Sequence, residues 1–294
     1  MKENGIIVVS LFNGMGTLRQ AFHNLGVKVD KYYSSEIKSY AIEVQQHHFP
    51  DVIQVGDVIK WRDWDIDWSK VDFIGSGSPC QDLSTMGKNK GLVKGQNSSL
   101  FFVFVDILNN CKALNPNVKF LQENVASARR RDVGIMSREL GVYPVRINSE
   151  LVSAQKRDRY YWSNIRTRKE MFDTFTNIPL PQDRNILLKD IITSGSVKED
   201  KHKPLLHRMY YSFGYKDKKS EKAQKYLRER EEYGITIIQE EGYMRIVNKA
   251  EMCRLQGFPD DYCDIVSLND AGSLLGDGWT LPMIEHILSF YELP

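Results

Sequence analysis

The chain has 294 residues, 41% hydrophobic and 27% charged, an ordinary globular composition long enough for one large domain carrying a smaller one. Its longest apolar stretches, Gly5 to Val9 and Leu100 to Leu108, fall well short of the ~20 residues of a membrane span; with no secretory pattern at the N-terminus, the expected location is the cytoplasm. The net charge of +2 says nothing about partners, so a nucleic-acid partner has to be argued from local clusters.

In chain order, Ile6 to Val9 reads as a buried strand, Thr17 to Leu25 as a helix, Lys31 to Ser35 as a strand, and Ile37 to His47 as a helix closing on Phe49-Pro50. A further strand is expected at Asp72 to Gly75, a long apolar helix at Leu100 to Cys111, and a strand at Val118 to Gln122. That alternation implies a mostly parallel sheet with helices on both faces. From Thr167 to Tyr243 the chain turns polar and Pro-interrupted, with a Lys-rich helical run from Lys216 to Arg230. Lys198 to Arg230 holds eleven Lys/Arg against five Asp/Glu, a place for phosphate contacts or a solvated helix face. Asn248 to Leu255 and Pro282 to Phe290 read as helices returning to the first domain.

Several positions carry chemistry. The turn Ser10-Leu11-Phe12-Asn13-Gly14-Met15-Gly16-Thr17 joins a strand to a helix, where glycines let a ligand approach the backbone. Glu36, at the end of the next strand, suits ribose hydroxyls, and Asp57, at the end of the expected third strand, an adenine amino group. Each reads equally as a helix cap. In Gly75-Ser76-Gly77-Ser78-Pro79-Cys80 a Gly/Ser-rich turn and a proline present a cysteine after a strand, a setting for a nucleophile. The four cysteines, at 80, 111, 253 and 263, lack a metal spacing or a disulfide density. Cys111, Cys253 and Cys263 read as core residues. Taken alone, Lys156-Arg157 with Arg159 reads as an exposed strand edge.

Six segments in order, Leu11-Phe12-x-Gly14, Pro79-Cys80-Gln81 with Ser84, Glu123-Asn124-Val125, Gln155-Lys156-Arg157-Asp158-Arg159, Arg254-Leu255-Gln256-Gly257-Phe258-Pro259 and Gly276-Asp277-Gly278-Trp279, resemble the motif series of the DNA cytosine-5 methyltransferases. Ser10 and Ser78 stand where bacterial members usually have Asp and Phe and are similar to the animal de novo enzymes; Asp277 stands where the family usually has Asn. The resemblance implies a Rossmann-like class I S-adenosylmethionine-dependent methyltransferase fold, with catalytic residues 1–166 and 245–294 and a small target-recognition domain at 167–244. It implies Cys80 as covalent nucleophile on carbon 6 of a cytosine flipped out of duplex DNA, Glu123 as proton donor to N3, and Arg157 and Arg159 as anion and carbonyl ligands, Arg159 for O2.

For the donor, S-adenosylmethionine, which leaves as S-adenosylhomocysteine, the resemblance implies Phe12 on the adenine, Glu36 on the ribose and Asp57 with Val58 at the adenine edge. Pro79 and Leu100 would line the donor pocket, Gly14 and Gly16 would allow close backbone approach to the methionine part, Asn13 would be a further donor contact, and Gly278 and Trp279 would close the far side. No metal is needed. The loop Gln81 to Ser99, with Gly87, Gly91, Gly95, Lys88, Lys90 and Lys94, has the glycines and charge to close over the flipped nucleotide, and reads equally as a disordered linker in the unbound protein. A monomer is expected, with duplex DNA as partner and no membrane; whether a cognate restriction endonuclease accompanies it is left open by the sequence. A cytosine-5 methyltransferase of transfer RNA is the related alternative, although the Cys-Phe-Thr signature of that branch is absent from Thr167 to Tyr243. A non-catalytic DNA-binding homologue would have lost the cysteine or the glutamate. A nicotinamide-dependent oxidoreductase rests on Gly14-x-Gly16 alone and explains neither Pro79-Cys80 nor the arginines.

Overall fold

A computed structural model describes residues 5–79, 100–205, 219–232 and 235–293; Cys80, the loop Gln81 to Ser99 and the start of the Lys-rich run lie outside the described residues. The first strand, β1 (Ile6–Leu11), leads into α1 (Thr17–Asn24), β2 (Val29–Ser35), α2 (Ser39–His48) and the short β3 (Ile53–Gln54). Then come β4 (Phe73–Ser76), α3 (Leu100–Leu114), β5 (Lys119–Val125), α4 (Arg130–Leu140), β6 (Val145–Asn148) and β7 (Asp158–Ser163). These strands form one sheet in the order β3-β2-β1-β4-β5-β7-β6. β3 to β5 pair in parallel and β7 runs antiparallel to β5. The arrangement is Rossmann-like, and strand order reverses between β1 and β4, so a crevice opens beyond their carboxyl ends.

Alternation along the strands explains the two helix layers. In β4 and β5, Ile74 lies opposite Phe120 in register, and Phe120 meets Phe104 of α3 with ring centroids 6.3 Å apart. Phe73 points the other way, to Phe22 of α1 and Tyr291, each at 5.3 Å. Neighbouring residues of a strand thus bury on opposite faces, as a sheet covered on both sides requires. A Cβ on Gly75 would collide with the Leu18 side chain, so glycine there lets α1 lie close on β4.

Some boundaries differ from expectation. α2 begins at Ser39 rather than Ile37 because a Glu36 carboxylate oxygen already accepts from the Ile37 and Lys38 amides, at 2.8 and 3.0 Å. β3 ends at Gln54, so Asp57 falls beyond it and caps a 3-10 turn, accepting from the Ile59 amide at 3.1 Å.

The chain divides into two compact units, residues 1–147, 158–180 and 284–294 in one, and 148–157 and 181–283 in the other. The first also contains the hairpin β8 (Thr167–Glu170) and β9 (Asp173–Thr176). The second contains α5 (Glu221–Glu232), the hairpin β10 (Ile238–Glu240) and β11 (Tyr243–Arg245), α6 (Lys249–Gln256) and α7 (Leu268–Asp277). A last helix, α8 (Leu281–Leu288), follows. In the second unit Gln224 of α5 pairs both ways with the Met244 backbone, at 2.9 and 2.7 Å. Arg245 bridges Glu240 and Glu251 at 2.6 and 2.7 Å. Asn248 and Glu251 cap α6 reciprocally. Among the described residues no helix is long and apolar enough to cross a membrane.

His202 binds the strand-like run before Arg157: its amide donates to Ala154 O at 2.7 Å and its carbonyl accepts from the Lys156 amide at 2.9 Å. Its ring is fully buried, Nδ1 donating to the Lys203 carbonyl and Nε2 lacking a partner among the described residues. Burial drives its pKa down to about 4, against weaker opposing pulls from the Lys203 carbonyl and Glu251. A depressed histidine pKa means that the unfolded state takes up the proton first, so stability is complete above pH ~6.5 and falls as pH drops toward ~4. The shift corresponds to roughly 3 kcal/mol. In urea titrations from pH 7 to 4, His202→Gln is expected to lose less stability than the parent over that window, whatever its stability at pH 7. An equal loss would show that His202 is not the group responsible.

Candidate active site

The turn after β1 lies in the crevice at the reversal point. Phe12 and Gly14 hold φ of 54° and 57°, and a Cβ at Gly14 would meet nothing within 4 Å, so this turn bends in the left-handed region with open space above its backbone. The Gly14 amide donates to Glu36 Oε2 at 2.8 Å. Glu36 therefore holds the turn with one oxygen and the start of the next helix with the other. Tyr32, buried with its phenol pKa pushed up by burial, donates to Asn13 Oδ1 at 2.8 Å; Asn13 Nδ2 is a buried donor without a partner among the described residues. Phe12 and Leu100 pack half-buried against the apolar cluster that contains Val58.

The neighbouring strand end carries the second half of the site. After β4 the segment Gly77-Ser78-Pro79 is pinned to β5: Gln122 Nε2 donates to Ser78 Oγ at 2.9 Å, and Asn124 Nδ2 to Ser78 Oγ and O at 3.3 and 3.4 Å. Between these two residues stands Glu123, whose Oε1 accepts from Arg159 Nε at 2.7 Å, both side chains nearly buried at 11% and 14% exposure. Arg159 Nη1 donates to its neighbour's carbonyl, Asp158 O, at 2.9 Å. The pairing of Val125 with Arg159 puts this ion pair where β5 ends and β7 begins. Ser78→Ala is expected to leave two buried amides short of an acceptor and to cost about 1–3 kcal/mol, read as a lower urea midpoint. No change in that midpoint would show that the serine does not hold the segment.

Arg157 belongs to the second unit, and it is 4% exposed, not the exposed edge that the bare residue pattern suggests. Its Nη2 donates to Gly276 O at 3.1 Å and Gly278 O at 2.7 Å. Gln256 Nε2 donates to Leu275 O and, at 3.4 Å, to Gly278 O, while its Oε1 accepts from Thr280 at 2.9 Å. The last carbonyls of a helix have no partner within it; here Arg157 and Gln256 supply partners at the end of α7, with a cation at the negative pole. They thereby fix the turn Gly276-Asp277-Gly278-Trp279.

The C-5 cytosine-specific DNA methylase family model matches residues 6–201, more than half of the chain. The chain belongs to that family. It is 33% identical over 174 residues to the orphan methyltransferase M.Rho11sI of Bacillus phage rho11s, a match covering 54% of this chain and 33% of that one. The chain spans about a third of the length of the first curated relatives it matches. It is 25% identical to the type II methyltransferase M.HpaII of Haemophilus parainfluenzae over 94% of this chain and 86% of that one. The fold is shared with the Entamoeba histolytica methyltransferase EhMeth, with a TM-score of 0.68 at 14% identity and 98% of each chain covered.

For a member of the C-5 cytosine-specific DNA methylase family, several residues of this site escape a motif reading. Gln122 and Tyr32 act only as supports, on Ser78 and Asn13, and supports of this kind have no sequence spacing of their own. Ser78 was visible as a departure from the usual bacterial pattern, but its two amide partners were not.

Proposed function

We propose that this chain transfers a methyl group from S-adenosylmethionine to carbon 5 of a cytosine in duplex DNA, with Cys80 as covalent nucleophile. The observation that carries the reading is the Glu123–Arg159 ion pair at 2.7 Å, held on β5 between the two residues that pin the approach to Cys80. The first unit offers what the donor needs: an open left-handed turn at Gly14, a carboxylate at Glu36, an orphan donor at Asn13, and an apolar wall from Phe12, Val58 and Leu100. A carboxylate oxygen has two lone pairs, so Glu36 keeps capacity for a ribose hydroxyl beside its amide bonds. Asp57 with Val58 takes the adenine edge, Gly16 the methionine part, and Pro79 a side of the donor pocket. S-adenosylmethionine supplies a methyl group made electrophilic by its sulfonium.

Carbon 5 of cytosine is too electron-poor to take that methyl unaided. The Cys80 thiolate adds to carbon 6 and turns the ring into an enamine nucleophilic at carbon 5. Glu123, which takes up a proton when the base is bound, delivers it to N3 and neutralises the charge that addition places on the ring. The Arg159 guanidinium spans Glu123 and the base, its forked donors suited to O2. After transfer, loss of the carbon 5 proton expels Cys80. The target base must leave the stack to reach these groups, at a few kcal/mol, and residues 167–244 read its surroundings. Arg157 serves in this scheme through the closing turn that it holds.

Incubating the protein with methyl-labelled donor and either duplex DNA or total transfer RNA tests the reading. Label in 5-methylcytosine of the DNA is expected, and bisulfite mapping of that DNA returns the sequence context. Label confined to the RNA would overturn it.

A further inference from the structure

Immediately beyond β5 the chain carries three consecutive arginines, Arg129, Arg130 and Arg131, all exposed. The Ala126–Ala128 turn seats Ala128 in the core, its amide bonded to Val125 O at 3.2 Å. The inner face of α4 then consists of Asp132, Met136, Ser137 and Leu140, with Ser137 receiving the Trp162 indole N–H at 3.0 Å. That anchoring turns Arg130 and Arg131 outward. Among the described residues neither forms an ion pair, so both exposed charges face solvent without an acidic partner.

We infer that Arg130 and Arg131, flanked by Arg129, form a phosphate-binding edge that holds the backbone of the substrate duplex beside the target cytosine. The inference rests on the methyltransferase reading and goes beyond it by naming a contact surface within the first unit. Its place supports it: β5 ends at Val125 beside Arg159, and Arg130 follows five residues later, within ~18 Å along even a fully extended chain. That length of duplex carries about ten phosphates, so a base delivered to Glu123 brings its own backbone over this edge. Its chemistry supports a polyanion over a small anion. The guanidinium groups stand in solvent along an edge, not around a cavity, and exposed charges of this kind bind by releasing the counterions that condense on nucleic acid.

The test is the salt dependence of binding to a fluorescein-labelled DNA duplex, measured by anisotropy over a range of NaCl concentrations with S-adenosylhomocysteine present. Arg130→Ala/Arg131→Ala is expected to lower the slope of log affinity against log salt by about 1 to 2, close to 0.9 per lost phosphate contact, and to weaken binding about tenfold near 0.1 M salt. Arg130→Lys/Arg131→Lys keeps the charges and is expected to keep the slope. Lys28→Ala/Lys31→Ala removes the same net charge from the exposed amino end of β2, opposite the carboxyl ends of the strands, and is expected to leave the slope unchanged. A wild-type slope in the Arg130→Ala/Arg131→Ala protein, or an equal fall in the Lys28→Ala/Lys31→Ala protein, overturns the inference. If that happens while the parent protein methylates duplex DNA, the functional reading stands without it. A parent protein that binds the duplex but transfers no methyl group to it overturns the functional reading instead.

Discussion

Replacing Cys80 with serine is expected to lower methyl transfer to duplex DNA by at least ~10³-fold, the scale on which removing a nucleophile acts, with S-adenosylhomocysteine binding unchanged. The thiolate is the attacking species, and a serine hydroxyl in its place is ionised far too rarely near neutral pH to add to carbon 6. Serine is nearly isosteric with cysteine, and the segment that leads to position 80 stays anchored through Ser78 to Gln122 and Asn124, so the loss reports chemistry and not unfolding. No other cysteine is placed to substitute. Cys111, Cys253 and Cys263 are all buried; burial pushes the Cys111 thiol up to about 12, and contact with Cys253 together with burial pushes Cys263 up as well. Tritium incorporation measures the rate and calorimetry measures S-adenosylhomocysteine binding. Transfer near the parent rate would remove the covalent step from the mechanism.

How much of this was legible in the sequence depends on whether the signal was local. The β1 turn, β2, β5 and the Asn248–Glu251 cap of α6 are written in short apolar runs, glycines and capping residues, and they stand within a few residues of where those signals put them. Helix α4 was missed because two of its four buried residues, Asp132 and Ser137, are polar, which hides the helical period behind three arginines. The antiparallel direction of β7 was not legible either, since Tyr160-Tyr161-Trp162 alternates identically whichever way the strand runs. Asp57 shows the limit of a residue-type argument: an aspartate after a strand suits either a ligand or a cap, and only coordinates display the bond to the Ile59 amide. The two arginines of Arg157-Asp158-Arg159 show the same limit. Two residues apart in one motif, they fall in different compact units, one on helix-end carbonyls and the other on Glu123.

Glu123→Gln separates proton delivery from shape, and it is expected to reduce turnover by roughly 10²–10⁴-fold, the range over which general acids contribute, with little change in S-adenosylhomocysteine affinity. Glutamine keeps a carbonyl oxygen where Oε1 now accepts from Arg159 Nε at 2.7 Å, so Arg159 stays aimed and β5 keeps its register with β7. What disappears is a carboxylate that can take up a proton when the base is bound and pass it to N3. A glutamine amide can still donate a hydrogen bond to N3 but cannot transfer the proton, so charge accumulates on the ring as Cys80 adds and the barrier rises. The donor-side residues Phe12, Gly14 and Glu36 lie on β1, its turn and the end of β2, which the substitution does not touch; the defect should therefore appear in kcat and spare the calorimetric Kd. If turnover instead stays within threefold of the parent, protonation at N3 has another source, and the ion pair with Arg159 is left with holding the strand ends together.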